Sequence, residues 1–171
     1  MVLYVLAGIV AVIVILAIVA PTTFSIEREI LINKPKAEVF AYVRSLKNQN
    51  NWSVWAMKDP AIRNEFRGTD GTVGFVNAWE GNKNVGKGEQ EIKKIVEGER
   101  MEFELRFEKP FKTTNDAYIV TEAVSANQTQ VRWGFRGESP RPLNIMTMFM
   151  KGMLAKDFDA GLRNLKNIVE K

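Results

Sequence analysis

Two glutamates, Glu89 and Glu91, stand two residues apart in the segment KGEQEIKK. On an extended strand, residues i and i+2 share a face, so their carboxyls would sit side by side. Paired carboxylates can divide acid and base roles when their surroundings push their pKa values apart. Lys87 and Lys93 have the same parity, however, which puts this pair on a solvated, mixed-charge face. Tyr118 and Arg106 are the other polar side chains a reactive pocket could use. Arg106 has the parity opposite to Phe103, Leu105 and Phe107, so it points away from their apolar face. The chain has no histidine and no cysteine. Ser-His-Asp and Cys-His nucleophiles, histidine-based zinc sites and disulfides are thereby excluded. No catalytic set can be assembled, and neither a metal nor a cofactor is expected.

What remains is the chemistry of apolar recognition. Trp52 and Trp55 lie three residues apart and would share one face of a helical turn. They form either an aromatic wall at a pocket mouth or a plug between helix and sheet. Trp79 and Trp133 fall on strands and need partners for their indole N–H groups if buried. They serve either packing or a pocket. Phe103, Leu105 and Phe107 alternate with Glu102, Glu104 and Arg106, a period of two with one apolar face directed at a cavity or a helix. Met146, Met148, Met150 and Met153 cluster in one segment. Flexible thioethers suit an adaptable lid over an apolar ligand, a membrane contact or loose core filling.

The elements that would position these residues follow from pattern. Phe24–Asn33 reads as a strand, and Pro35 opens a short helix carrying Val39, Phe40 and Val43. That helix gives way near Asn48 to the polar stretch NQNN. Strands then follow over Ile62–Arg67, Val73–Glu80, Val85–Val96, Met101–Phe107, Thr113–Val124 and Thr129–Gly137. The turns between them are too short for crossover helices, so the sheet is antiparallel. Gly81–Asn84 has hairpin chemistry, and Gly86 and Gly88 suggest a bulge or bend. From Leu143 to Glu170 the pattern is helical, with Leu154, Phe158, Leu162, Leu165 and Val169 in one stripe and Gly152 and Gly161 as bend candidates. An antiparallel sheet of six to seven strands with one long helix to cover it makes an α+β fold. Its curved sheet leaves an apolar cavity against the helix.

The first twenty residues differ from all the rest. Val2–Ala20 carries no charge, and nineteen helical residues span about 28 Å, close to a hydrocarbon core of about 30 Å. There is no basic n-region before it and no small residue at the position a signal peptidase would need. The reading is a transmembrane anchor over 1–21 and a folded domain over 22–171. Arg28, Lys34 and Lys36 flank the run and favour the domain on the cytoplasmic side. The net charge of +4 lies wholly in the folded part, but basic and acidic residues alternate and no nucleic-acid motif is visible.

The segments INKPKAEVFAYV, NWSVWAMKDP, GTVGFVNAWEGNKNVGKGEQEI, FEKPF, TQVRWGFRGE and KDFDAGLRNLKNIVE, in this order, resemble the SRPBCC superfamily of START and birch-pollen-allergen-like domains. Within it they look like the polyketide cyclase/dehydrase branch. The resemblance covers Phe24–Lys171. It implies a helix-grip fold with a deep pocket for lipids, sterols, quinones or polyketides, and it puts the pair Trp52 and Trp55 where the family carries a tryptophan pair. The expected function is a membrane-anchored module holding a hydrophobic small molecule between sheet and C-terminal helix. The expected ligand-binding residues are Trp52, Trp55, Trp79, Phe103, Leu105, Phe107, Tyr118, Trp133, Met146, Met150 and Met153. The alternatives are a cyclase or dehydratase acting on a polyketide-like or isoprenoid substrate, and a protein-interaction domain beside the membrane. No oligomeric state follows from the sequence.

Overall fold

The computed structural model describes residues 2–171, with side chains for all of these except residues 2, 3, 146, 148 and 149. A first helix, α1 (Val2–Val19), precedes strand β1 (Thr23–Ile32). Three short helices follow: α2 (Lys36–Arg44), α3 (Leu46–Trp52) and α4 (Val54–Met57). Then come β2 (Arg63–Arg67), β3 (Val76–Glu80), β4 (Lys87–Val96), β5 (Arg100–Lys109), β6 (Thr113–Ser125) and β7 (Gln128–Glu138). The chain closes with the 26-residue helix α5 (Asn144–Val169). The seven strands form one antiparallel sheet in the order β1-β7-β6-β5-β4-β3-β2. The first strand is thus sewn to the last, while β2 to β7 run as a meander.

The inward face of the sheet carries the alternating apolar residues. Met101, Phe103, Ile119, Val131 and Trp133 are buried there, as are Phe158, Leu162 and Leu165 from α5. Helix α2 adds Val39, Phe40 and Val43 to the same core. The sheet therefore grips α5 along the stripe that period 3.6 predicts. Helix α5 is continuous through Gly152 and Gly161.

One local prediction fails at the polar stretch. Asn48–Asn51 is helical, as part of α3. The reason is a tertiary cap. Ser45 Oγ accepts from Asn48 N at 3.3 Å, and the carboxylate of Asp70, far along the chain, takes both the Ser45 hydroxyl (2.5 Å) and the Leu46 amide (2.8 Å). Negative charge and acceptors at a helix start satisfy its orphan amides. Composition alone does not reveal a cap supplied from Asp70.

The N-terminal expectation is also corrected. Among the described residues no helix is long and apolar enough to cross a membrane. Helix α1 covers Val2–Val19. The transmembrane anchor and the cytoplasmic placement derived from it are therefore set aside. The end of α1 is instead tied to the start of α5. Asn144 Nδ2 donates to the carbonyls of Ala17 and Ala20, each at 2.8 Å, and Arg141 Nε donates to Ala17 O at 2.9 Å. These donors occupy terminal helix carbonyls that have no partner within the helix itself.

Candidate functional site

Between the inward face of the sheet and α5 lies a cavity of about 460 Å³. Its floor is built from every second residue of the strands: Trp79 on β3, Gln90 on β4, Leu105 and Phe107 on β5, Asn115 and Ala117 on β6, Trp133 and Phe135 on β7. Met150, Met153, Leu154 and Phe158 of α5 form the roof, and Trp55 and Lys58 close one side. The mouth is bordered by the β3–β4 loop around Lys83 and by the β5–β6 loop with Phe111 and Lys112.

An aromatic cluster fixes one end of the cavity. Trp133 stacks on Phe158 with ring centroids 4.0 Å apart, and Trp52 meets Trp133 edge-on at 4.8 Å. Trp55 stands edge-on to both Trp133 (6.0 Å) and Phe158 (5.7 Å). Gly161 permits this approach, because a Cβ there would lie 2.9 Å from the Trp133 ring. The glycine thus serves close packing of strand on helix, where the sequence suggested a bend. At the other end Trp79 lies edge-on to Phe107 at 5.6 Å. Its indole crosses Gly88, where a Cβ would meet it at 2.8 Å. The register shift between Lys87 and Gly88 is the bulge expected from the glycines of that strand.

The charged groups of the lining lie mostly at the mouth, where Lys83, Lys109, Lys112 and Glu138 are exposed. Lys58 Nζ is held by Asp157 Oδ2 at 2.5 Å, a link between α4 and α5, and sits 5.5 Å above the Trp55 ring. Among the described residues no cluster of three or more acidic, histidine or cysteine side chains could hold a metal ion.

The structure sorts the expected site residues into three groups. Trp55, Trp79, Leu105, Phe107, Trp133, Met150 and Met153 line the cavity. Trp52 and Phe103 are buried in the core and are not part of the wall: Trp52 ends α3 beneath Trp133, and Phe103 lies one rung below Leu105. Tyr118 stands on the opposite face of the sheet. Its hydroxyl donates to Glu27 at 2.5 Å, Arg100 lies over its ring, and the ring fills the space above Gly134. Burial, then the Glu27 carboxylate, pushes its phenol above the ordinary value. The Met146 side chain lies outside the described residues.

Glu89 and Glu91 occupy the outer face as their parity required. Arg106 Nε donates to Glu89 at 2.7 Å and its Nη1 to Glu91 at 2.8 Å, with Glu104 and Arg67 joining the network. The Arg106 hydrogen bonds hold both carboxyls below the usual range. These are neutralised partners of a cation, far from the cavity. The sequence reading missed Phe24, Phe135, Phe158, Asn77, Gln90 and Asn115 on the cavity wall. Parity carried a usable signal for two of them: if Glu89 and Glu91 face out, Gln90 faces in, and Phe135 shares the face of Trp133.

A curved antiparallel sheet closed over one long C-terminal helix, with an apolar cavity between them, defines a helix-grip domain of the SRPBCC kind. The family model "Polyketide cyclase / dehydrase and lipid transport" matches residues 23–170, and the chain belongs to this family. The fold is shared with solved structures at low sequence identity. Protein CV1439 from Chromobacterium violaceum has a TM-score of 0.58 at 15% identity, over 88% of this chain and 99% of that one. Ara h 8.0201 has a TM-score of 0.57 at 13% identity, over 86% and 97%. A protein from Bacillus thuringiensis has a TM-score of 0.63 at 12% identity, over 86% and 100%. Among curated proteins none matches the sequence significantly.

Proposed function

We propose that the domain binds a hydrophobic small molecule, of lipid, quinone or polyketide-like character, in the cavity between sheet and α5. The observation that carries this reading is the cavity itself. About 460 Å³ of space, within the range of ligand pockets, is left open beside a tightly interlocked aromatic cluster. Its inner wall is mainly aromatic and aliphatic, with the buried polar side chains Ser53, Asn77, Gln90 and Asn115 and a closed Lys58–Asp157 pair, while Lys83, Lys109, Lys112 and Glu138 are exposed around the mouth. Carboxamides and a closed ion pair orient a ligand better than they transfer protons. Holding a ligand therefore has more support than cyclising or dehydrating one.

The test is native mass spectrometry of the intact chain, with extraction and identification of what co-purifies, for the wild type and for Ala117→Trp. Ala117 is buried on the cavity floor, and an indole there would fill the space. The reading requires a bound species in the wild type that the variant loses while keeping its circular dichroism. A species retained equally by both proteins would refute binding in this cavity.

A further inference from the structure

One transverse row of the cavity floor is not apolar. Asn77 on β3 lies directly opposite Gln90 on β4, Gln90 opposite Leu105 on β5, and Leu105 opposite Asn115 on β6. Directly opposed residues of antiparallel strands share a face, so three carboxamides stand in one line across the sheet, interrupted once by leucine. All three line the cavity and are nine-tenths buried, at 6%, 7% and 6% exposure. Carboxamides in an apolar wall need partners. Among the described residues Asn77 Oδ1 is buried without one, and its Nδ2 reaches Asn50 Oδ1 alone, at 3.5 Å. Asn115 Oδ1 accepts from the amide of Glu138 at 3.2 Å, which fixes the orientation of its amide and leaves Nδ2 as the group it can offer.

Resting on the binding role proposed above, we infer that this row selects the ligand: a neutral molecule carrying hydroxyl or carbonyl oxygens along its length. Asn77 accepts from a ligand hydroxyl. Gln90, one strand or about 5 Å away, can accept or donate. Asn115, two strands further, donates to an oxygen at the far end. A bare hydrocarbon leaves the row unpaired on closing the site. A carboxylate brings a charge that these neutral amides do not balance; of the lysines that line the cavity, Lys83, Lys109 and Lys112 are exposed at its mouth, away from the row, and Lys58 is already held by Asp157.

Equilibrium dialysis of the full chain tests this with three probes on one ring skeleton: naphthalene, a dihydroxynaphthalene with one hydroxyl on each ring, and naphthoate. The wild type is expected to bind the diol at least as tightly as naphthalene, although the diol is the more water-soluble, and to bind naphthoate worst. In Asn77→Leu/Gln90→Met, a volume-conserving pair, the ratio of diol to naphthalene affinity is expected to fall at least about tenfold while naphthalene binding persists. Gln90→Met alone is expected to fall between the two. A ratio that the variants leave unchanged, or naphthoate as the tightest probe, would overturn the inference and leave cavity binding standing. Binding of none of the three would remove both.

Discussion

Phe158→Ala tests the link between packing and cavity in a single substitution. The ring is buried at the centre of the aromatic cluster, stacked on Trp133 and edge-on to Trp55. Burying a phenylalanine side chain stabilises by about 1.5–3 kcal/mol. Each aromatic pair adds about 0.5–1.5 kcal/mol. Losing the ring and both pairs should therefore cost about 2.5–6 kcal/mol. The lower half of that range is expected, because the ring already borders open space and adds no sealed void of its own. The assay is urea unfolding followed by tryptophan fluorescence, with the m-value checked for constancy. A loss of about 3–4 kcal/mol is expected, together with a larger cavity that accepts bulkier probes. A loss under about 1 kcal/mol at unchanged m would refute the keystone role of this cluster, since neither the burial nor the pairings would then be real in solution.

Other substitutions probe separate parts of the molecule. Gly88→Val drives a side chain into the Trp79 indole and the Arg106 carbonyl; it should abolish ligand binding and lower the thermal midpoint, both measurable in one thermal-shift titration. Asn144→Ala removes two donors from the end of α1 and should cost about 1–3 kcal/mol of that docking; limited proteolysis between α1 and β1 should speed up severalfold while the sheet stays intact. The pH dependence follows from Arg106. Its hydrogen bonds lower the folded-state pKa of Glu89 and Glu91, so the unfolded chain takes up these protons first. The stabilisation is present above the ordinary carboxylate value and is lost as pH falls through the lowered folded values. For pairs this exposed it amounts to about 1 kcal/mol or less. Urea midpoints between neutral pH and pH of about 3 should fall less steeply in Arg106→Met than in the wild type; identical slopes would exclude the linkage.

How far the sequence foretold this structure depended on where the determining contact lay. Strand β5 was legible because Met101 to Phe107 alternates without exception and its neighbours are local. The stripe on α5 was legible for the same reason at period 3.6. Helix α3 was hidden because its cap comes from Asp70, a residue 24 positions beyond the Leu46 amide it holds. Tyr118 was misjudged as a pocket group because its polarity was weighed ahead of its parity. Ala117 and Ile119 face inward, so Tyr118 cannot. Trp52 and Trp55 were expected to share one face of a helical turn, but a break at Ser53 sends one into the core and the other to the cavity. The amide row was invisible as a row, because it exists only once the registers of β3, β4, β5 and β6 are known.

The pairing of β1 with β7 has a consequence for how the molecule comes to exist. Thr23 must meet Glu138, so the sheet cannot be completed until more than a hundred residues separating them have been made. The meander from β2 to β7 needs only neighbouring hairpins and can form as it emerges. Strand β1 must wait, its inward residues Ile26 and Ile32 without their final cover. Such sequence-distant closure slows folding, because the loop-closure entropy must be met before the contact rewards it. During synthesis the earliest strand is the last to be secured, and that interval is when the nascent chain is most open to wrong partners.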